Sequence, residues 1–482
     1  MKITIGGDQK ISEFYIQTFS LLFFPEDNSF GKNGDGENHI KIYADKNNNF
    51  VDISLEIWYN NKIGSGSAKT TSEKPDDILL CVGRLFYEVA SGLTGIYPPW
   101  GIHTGIRPAK TAGEILGGAN DDEALAKKIL CRDYLMSESK AELAIKTHKN
   151  GRAAAQGISK NDFSLYVSVP FCPSRCKYCS FVSFPTPRLS KLIPQYIKKL
   201  TEEIGLLGKL SRKMRLRAIY FGGGTPSVLE CGLLETIFVS ICDNFDFSNL
   251  LEFTVECGRA DTITKEKLML LKNFGVDRIS VNPQSLNDEI LQKIGRKHTA
   301  EDFFRAFETA RASGIKNINT DCIIGLADEA GTSVINTAKT LSGLKPENIT
   351  LHALCIKRSS ELKIEGTYSQ ANPDLNETLD EIYKILNSAG YIPYYMYRQK
   401  YAAGNLENTG FCQLGRECLY NIYMMDEHMT IFGVGAGAMT KIVRDGRIER
   451  IANYKYPYEY IERDFQISGE KNKNKLRLLE DL

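Results

Sequence analysis

No apolar run in the 482 residues approaches the roughly 18 that a membrane-spanning helix requires, and the start, "MKITIGGDQK", lacks the long apolar core of a secretory leader. Charge of one sign is missing too: 60 Lys and Arg stand against 59 Asp and Glu, a formal net charge of +1. No global field therefore draws the chain to nucleic acid or to an anionic membrane surface, and an anionic ligand has to be met by a local cluster. The twelve cysteines are too thinly spread for the disulfide framework of a small secreted domain, and they read as reduced thiols, several of them core residues. No internal repeat appears at a period of roughly 20 to 50 residues. These absences predict a soluble cytoplasmic protein with no nucleic-acid partner and no membrane span. What is present, 42% apolar and 25% charged residues, is enough to bury the cores of two or three domains.

Hydrophobic periodicity divides the chain into three regions. Residues 1–155 read as an α+β domain with a helical linker: a strand "KITI", a helix from Phe14 to Phe24, strands "HIKIYA" and "FVDISLEIWY", and a helix from Asp77 to Ala90. The polar "NSFGKNGDGEN" between them reads as a surface loop. Residues 156–372 alternate short β-rich runs with helices of 3.6 period. The strands are "SLYVSVP", "AIYFGGG", "LEFTVECG", "RISVNPQ", "NINTDCIIGL" and "NITLHALCI". Repeated βα units imply parallel strands with right-handed crossovers, and six units make a partial (β/α)6 barrel, too few for a closed eight-stranded one. Residues 373–482 form a mixed α/β extension with "YIPYYMYRQKY", "FGVGAGAMTK" and a solvated tail "GEKNKNK".

The chemistry concentrates in "PFCPSRCKYCSF", directly after the first barrel strand, where Cys172, Cys176 and Cys179 have C-x3-C-x2-C spacing. A structural zinc site needs four ligands, and no fourth Cys or His follows at a usual spacing. A redox C-x2-C is disfavoured by the extra Cys172 and the barrel context. Three soft thiolates suit an iron-sulfur cluster and leave one iron open. Three core cysteines are the bland alternative, but a compact polar turn gives them no core to fill.

Other strand ends add polar groups at the same rim. "YFGGGTPS" closes the second strand, and Gly222, Gly223 and Gly224 let the backbone approach a ligand, although the stretch alone also reads as a tight turn. Glu256 ends the third strand, Gln284 the fourth, and Asp321 lies on the fifth; such groups are costly in apolar runs unless partnered. Arg296, in "IGRKHT", reads either as a bidentate partner for a carboxylate or as a solvated surface arginine.

The C-x3-C-x2-C motif with Tyr178 before the last cysteine is the signature of radical S-adenosylmethionine (SAM) enzymes. Together with "WGIHTGIRPAK", "IYFGGGTPS", "DTITKEKL", "DRISVNPQS", "NINTDCIIGL", "PYYMYRQK", "GNLENTGF" and "GVGAGA", nearly the whole chain resembles the oxygen-independent coproporphyrinogen III oxidase family, in its HemZ-type branch of coproporphyrinogen dehydrogenases. The resemblance implies that Cys172, Cys176 and Cys179 ligate a [4Fe-4S] cluster. It implies that Tyr166, Gly223, Gly224, Thr225, Glu256, Gln284, Arg296 and Asp321 contact SAM, with Gln284 and Asp321 at the ribose and Ala353 and Met439 at further contact positions. It also implies a tetrapyrrole substrate, a reducing electron-donor protein, and conversion of propionates to vinyl groups with loss of carbon dioxide.

A substrate with several carboxylates calls for cations near the mouth, for which Arg107, Lys357, Arg358, Arg398, Lys400 and Arg416 are candidates, although most surface Lys and Arg are only solvated; Tyr394, Tyr395 and Tyr397 read either as faces for a flat macrocycle or as an aromatic hydrophobic cluster. His103 and His352 read either as haem ligands or proton donors or, as a lone His in an apolar segment more often is, as hydrogen-bonded structural residues. The family's decarboxylases carry a further cysteine two positions after the third, where this chain has Phe181. A sister branch of haem-binding chaperones also lacks it, but "LYNIYMM" supplies neither the His nor the Trp of that branch. The expected order is porphyrinogen decarboxylase, then haem chaperone, then an enzyme that modifies haem.

Overall fold

The computed structural model describes residues 1–24, 38–179, 184–326, 328–356, 375–400, 402–444 and 447–462. The "NSFGKNGDGEN" loop, apart from Asn38, and the "GEKNKNK" tail lie outside them.

The N-terminal sheet runs in the order β1 (Lys2–Gly6), β2 (His39–Asn47), β3 (Phe50–Tyr59), β4 (Lys62–Thr70), with β1 parallel to β2 and the other pairs antiparallel. Alternation decides which face is buried: Ile40, Ile42 and Ala44 on β2 and Val51, Ile53, Leu55 and Ile57 on β3 meet the helices Glu13–Phe23 and Pro75–Thr94. β4 is absent from the sequence expectation because "KIGSGSAKT" buries no apolar side chain. Its glycines serve the packing instead: a Cβ on Gly64 would lie 2.8 Å from Leu93, and one on Gly66 2.9 Å from Leu85, so the long helix seats directly on the strand backbone.

Helices Pro108–Gly118, Glu123–Asp133 and Glu138–Ala154 follow, the last two capped by Asp122 and Ser137. Their apolar residues join the barrel core, not the N-terminal one. A buried ion pair anchors them: Lys140 Nζ lies 2.8 Å from Glu407 Oε1, which also accepts from Tyr383 OH, while Trp100 Nε1 donates to Glu407 Oε2 at 2.7 Å.

The main sheet contains six adjacent parallel strands, β5 (Asp162–Val169), β8 (Arg215–Gly223), β9 (Glu252–Glu256), β10 (Arg278–Ser280), β11 (Asn317–Ile324) and β12 (Asn348–Ala353). The short pair β6 (Phe171–Cys172) and β7 (Phe184–Pro185) stands beside β5's end. The six strands are those expected from the sequence, and they form the partial barrel. Five further strands extend the sheet at both margins: β13 (Ile392–Arg398) and β14 (Glu407–Cys412) beyond β12, and β15 (Thr430–Val434), β16 (Met439–Arg444) and β17 (Arg447–Ala452) beyond β5.

Strand alternation separates the barrel's two faces. Leu165, Val167, Ile219, Phe221, Phe253, Val255, Ile279, Ile318 and Ile349 join the apolar core with the surrounding helices. The opposite parity carries Tyr166, Tyr220, Glu256, Ser280, Asn282, Asn319, Asp321, Thr350 and His352 into the barrel interior. Helix Leu419–Asp426 covers the N-terminal end of the strands: Leu419 and Tyr420 amides donate to Glu252 at 2.8 and 3.2 Å, and Tyr420 stacks on Tyr220 at 4.4 Å and Tyr166 at 6.0 Å.

Candidate functional site

The cysteine loop leaves the C-terminal end of β5 and is held from several sides. Gly224 N donates to Val169 O at 2.9 Å, Thr225 N to Phe171 O at 2.7 Å, and Lys177 N to Ile294 O at 3.0 Å. Gly224 is dictated by this approach, since a Cβ there would lie 2.7 Å from Val169 O and Phe171 N and closer still to Phe171 O. Within the loop Cys179 N donates to Cys176 O at 3.0 Å, and Cys172 Sγ lies 3.5 Å from Thr225 Oγ1.

Two buried arginines flank the thiols. Arg259 donates to Ser174 Oγ at 3.0 Å, pairs with Asp261 at 3.2 Å and points Nη1 at Cys176 Sγ, 3.8 Å away. Arg296 donates to Gly258 O at 2.9 Å and to Tyr178 OH at 3.1 Å, so it is a buried brace of the loop and not a solvated arginine. Among the described residues no three His, Cys, Asp or Glu are gathered closely enough to hold a metal ion. The donor chemistry suits an iron-sulfur cluster: three soft thiols beside two buried guanidinium groups at the mouth of a barrel. Phe181 lies outside the described residues.

The glycine segment and the polar rim lie beside this loop. Gly223 has φ +99°, a conformation that favours glycine, and a Cβ there would meet Ser168 Oγ at 3.0 Å and Tyr166 OH at 3.5 Å. A Cβ on Gly222 would stand 3.2 Å from the Glu256 carboxyl. That carboxyl accepts from Tyr220 OH at 2.6 Å, and burial pushes its pKa up to about 7. Gln284 also has positive φ, 69°, and its buried Oε1 has no partner; Arg296 Nε is likewise unpaired. Unpaired buried polar atoms at one rim fit a polar ligand.

Asp321 sits in the densest network. Its Oδ1 accepts from Asn319 Nδ2 and its Oδ2 from Asn282 Nδ2, both at 2.7 Å, and His352 Nε2 is 3.8 Å from Oδ2. Burial acts to raise its pKa, but the His352 imidazole, the Asn319 amide and the Thr350 hydroxyl outweigh it and hold the group below its ordinary value.

Of the remaining predicted contacts, Ala353 is buried at the end of β12, its N donating to Asn408 Oδ1 at 3.2 Å. Met439 is exposed at the start of β16, after the "GVGAGA" loop that Ser168 Oγ ties to β5 through Ala436 O at 2.7 Å. The expected carboxylate partners fare differently. Arg398 is buried against His103 O and Asn405 O over the Trp100 ring, and Arg416 reaches Asn317 Oδ1 at the opposite end of the barrel, so neither faces the mouth. Arg107 pairs with Glu427, and Lys400 Nζ rests over the Phe14 ring at 3.7 Å. Lys357 and Arg358 lie outside the described residues. Tyr394 and Tyr395 belong to an aromatic core, whereas Tyr397 OH lies 3.5 Å from His352 Nδ1. His103 is structural, with burial lowering its pKa to about 3. His352 faces the Asp321 carboxylate, and Asn282, Asn408, Tyr220 and Arg259 contact the candidate site's residues without having been singled out from the sequence. The alternation R-I-S-V-N, which puts Asn282 in register with Arg278 and Ser280, could have found the first.

A model of the radical SAM superfamily matches residues 166–341. The chain is 36% identical over 402 residues to the oxygen-independent coproporphyrinogen-III oxidase-like protein HemZ of Bacillus subtilis (strain 168), covering 81% of this chain and 80% of that one. It is 31% identical over 279 residues to the heme chaperone HemW of Lactococcus lactis subsp. lactis (strain IL1403), covering 57% of this chain and 68% of that one. Among solved structures, coproporphyrinogen III oxidase HemN from Escherichia coli, a radical SAM enzyme, shares the fold with a TM-score of 0.53 at 22% identity, over 64% of this chain and 70% of that one.

Proposed function

The chain belongs to the radical SAM superfamily and, within it, to the oxygen-independent coproporphyrinogen-III oxidase-like family; from that premise we propose that it oxidatively decarboxylates the propionates of coproporphyrinogen III to vinyl groups without oxygen. Membership entails a [4Fe-4S] cluster and SAM. The observation that carries the substrate reading is the 36% identity spread over 80% of a coproporphyrinogen-III oxidase-like protein.

In this reading Cys172, Cys176 and Cys179 hold the cluster, with Arg259 and Arg296 offsetting its negative charge. What the bound pair supplies is hydrogen-atom abstraction by a carbon-centred radical, chemistry that no side chain performs. Gly223 and Gly224 present backbone to SAM beside Tyr166 and Thr225. Glu256, neutral or ionised near pH 7, receives a cationic group by giving up its proton. Gln284 Oε1 offers an unused acceptor, Asp321 a charged one, and Ala353 and Met439 complete the rim. The Leu419–Asp426 helix, with Tyr420 stacked inside, keeps water from entering at the far end. A reducing protein supplies electrons.

A second reading, haem chaperone, is favoured by the HemW likeness and by Phe181 standing where the decarboxylases have a cysteine. Anaerobic protein given SAM, a reductant and coproporphyrinogen III separates the two. Release of carbon dioxide with formation of protoporphyrinogen supports the decarboxylase; stoichiometric haem binding with no turnover supports the chaperone.

A further inference from the structure

The carboxylates of a propionate-bearing tetrapyrrole need a cation inside the barrel, and most described candidates are already engaged. Arg398, Arg416 and Arg296 have the partners given above. Arg278 binds Asn348, the carbonyls of Arg416 and Glu417, and Glu252, while Lys441 Nζ binds the carbonyls of Tyr423 and Met424.

His352 differs. Asn408 Oδ1 accepts from Ala353 N at 3.2 Å and its Nδ2 donates to Tyr397 O at 3.4 Å, which fixes the orientation of the amide. His352 Nδ1 lies 3.2 Å from that same Oδ1, so Nδ1 must donate and carries a proton. Nε2 faces Asp321 Oδ2 at 3.8 Å, within ion-pair range but beyond hydrogen-bond length, and both Asp321 oxygens already accept from amides. Burial opposes charge on the ring, but Asp321 more than offsets it and raises the pKa above the ordinary imidazole value. Below that raised pKa the ring carries a second N–H, on Nε2, which faces Asp321 at ion-pair distance and makes no hydrogen bond of ordinary length. The His352 side chain is 29% exposed, and Tyr397 OH lies 3.5 Å from the other ring nitrogen, Nδ1.

We propose that His352 Nε2–H and Tyr397 OH form a carboxylate-binding site inside the barrel that takes one propionate of the tetrapyrrole. This rests on the tetrapyrrole reading above. The titratable groups acting on the ring are Asp321 on β11 and Glu256 on β9, with Tyr397 on β13 beside Nδ1. The ring binds an anion below its raised pKa and releases it as pH rises through that value. Glu256 ionises as pH rises through about 7 and adds a slope of the same sign, so pH series are compared in a Glu256→Gln background.

Cluster-containing protein, purified without oxygen, is titrated with coproporphyrin III and with its tetraamide at about pH 6 and about pH 9, following protein fluorescence. The expected result is binding of the acid tighter than the amide by roughly 10- to 100-fold at the lower pH, the worth of a charge-assisted hydrogen bond, with the preference shrinking at the higher pH. His352→Gln should abolish the preference and its pH dependence. His352→Lys should restore the preference and move its loss to higher pH, which a merely structural role would not do. Tyr397→Phe, which leaves the Asn408–His352–Asp321 chain intact, should weaken acid binding several-fold and stands as the test if His352 variants misfold. A His352→Gln protein that keeps the preference and the slope, or an unaffected Tyr397→Phe protein, overturns this inference alone. A wild type that does not bind the tetraacid removes the tetrapyrrole reading, and this inference with it.

Discussion

Gly224→Ala is the most local test of how the cysteine loop is built. The new Cβ would stand 2.7 Å from Val169 O and from Phe171 N, with Phe171 O nearer still, and all three are main-chain atoms that no rotamer change can remove. The end of β8 must then retreat, breaking the bonds from Gly224 N to Val169 O and from Thr225 N to Phe171 O. Two net hydrogen bonds at about 1 kcal/mol each and an overpacking cost of about 1–3 kcal/mol give about 3–5 kcal/mol, borne by the turn that carries Cys172. That is a factor of roughly a hundred to a few thousand against the native loop. The assay is iron and acid-labile sulfide per chain after anaerobic reconstitution, with SAM affinity by equilibrium dialysis. Both should fall sharply. Gly232→Ala is the matched control: its Cβ meets nothing within 4 Å, it lies in helix Cys231–Asn244, and the change should be neutral or stabilising by up to about 1 kcal/mol. Wild-type iron content and SAM binding in Gly224→Ala would refute the close-approach explanation of the glycine segment.

Two further perturbations probe the frame and the rim. Lys140→Ala leaves Glu407 buried with Trp100 and Tyr383 as its donors among the described residues, so denaturant unfolding of the barrel should show a loss of about 3–5 kcal/mol; Lys140→Met with Glu407→Gln should recover most of it, and equal costs for the single and double variants would contradict a buried charge pair. Glu256 has its folded pKa raised from 4.5 to about 7, so its contribution to stability is complete below pH 4.5 and is lost as pH rises through about 7. Glu256→Gln should therefore gain stability relative to wild type between those values, and a difference that stays flat with pH would show that the carboxyl is not held neutral.

The six barrel strands were legible because β-rich runs alternate with 3.6-period helices, and the cysteine and glycine motifs were legible because their spacing is local. β4 was hidden because a strand that receives a helix on Gly64 and Gly66 carries no hydrophobic alternation. The C-terminal strands lie in the mixed α/β extension, and their places at the sheet margins were not legible because pairing of β14 with β12 and of β15 with β5 depends on contacts far apart in sequence. The same distance concealed His352, whose Nδ1 proton is placed by Asn408, 56 residues later. It also concealed the fates of Arg398 and Arg416, which composition cannot distinguish from arginines at a mouth.

The central claim is that Cys172, Cys176 and Cys179 hold a cluster that cleaves SAM. The most direct measurement is methionine and 5′-deoxyadenosine formed from SAM under strong reduction, per iron bound, in anaerobically isolated wild type and Cys176→Ala. Wild type should carry about four iron and four sulfide per chain and cleave SAM, while Cys176→Ala should do neither. Iron-free wild type that leaves SAM intact, or a Cys176→Ala protein with undiminished cluster and cleavage, would contradict the account.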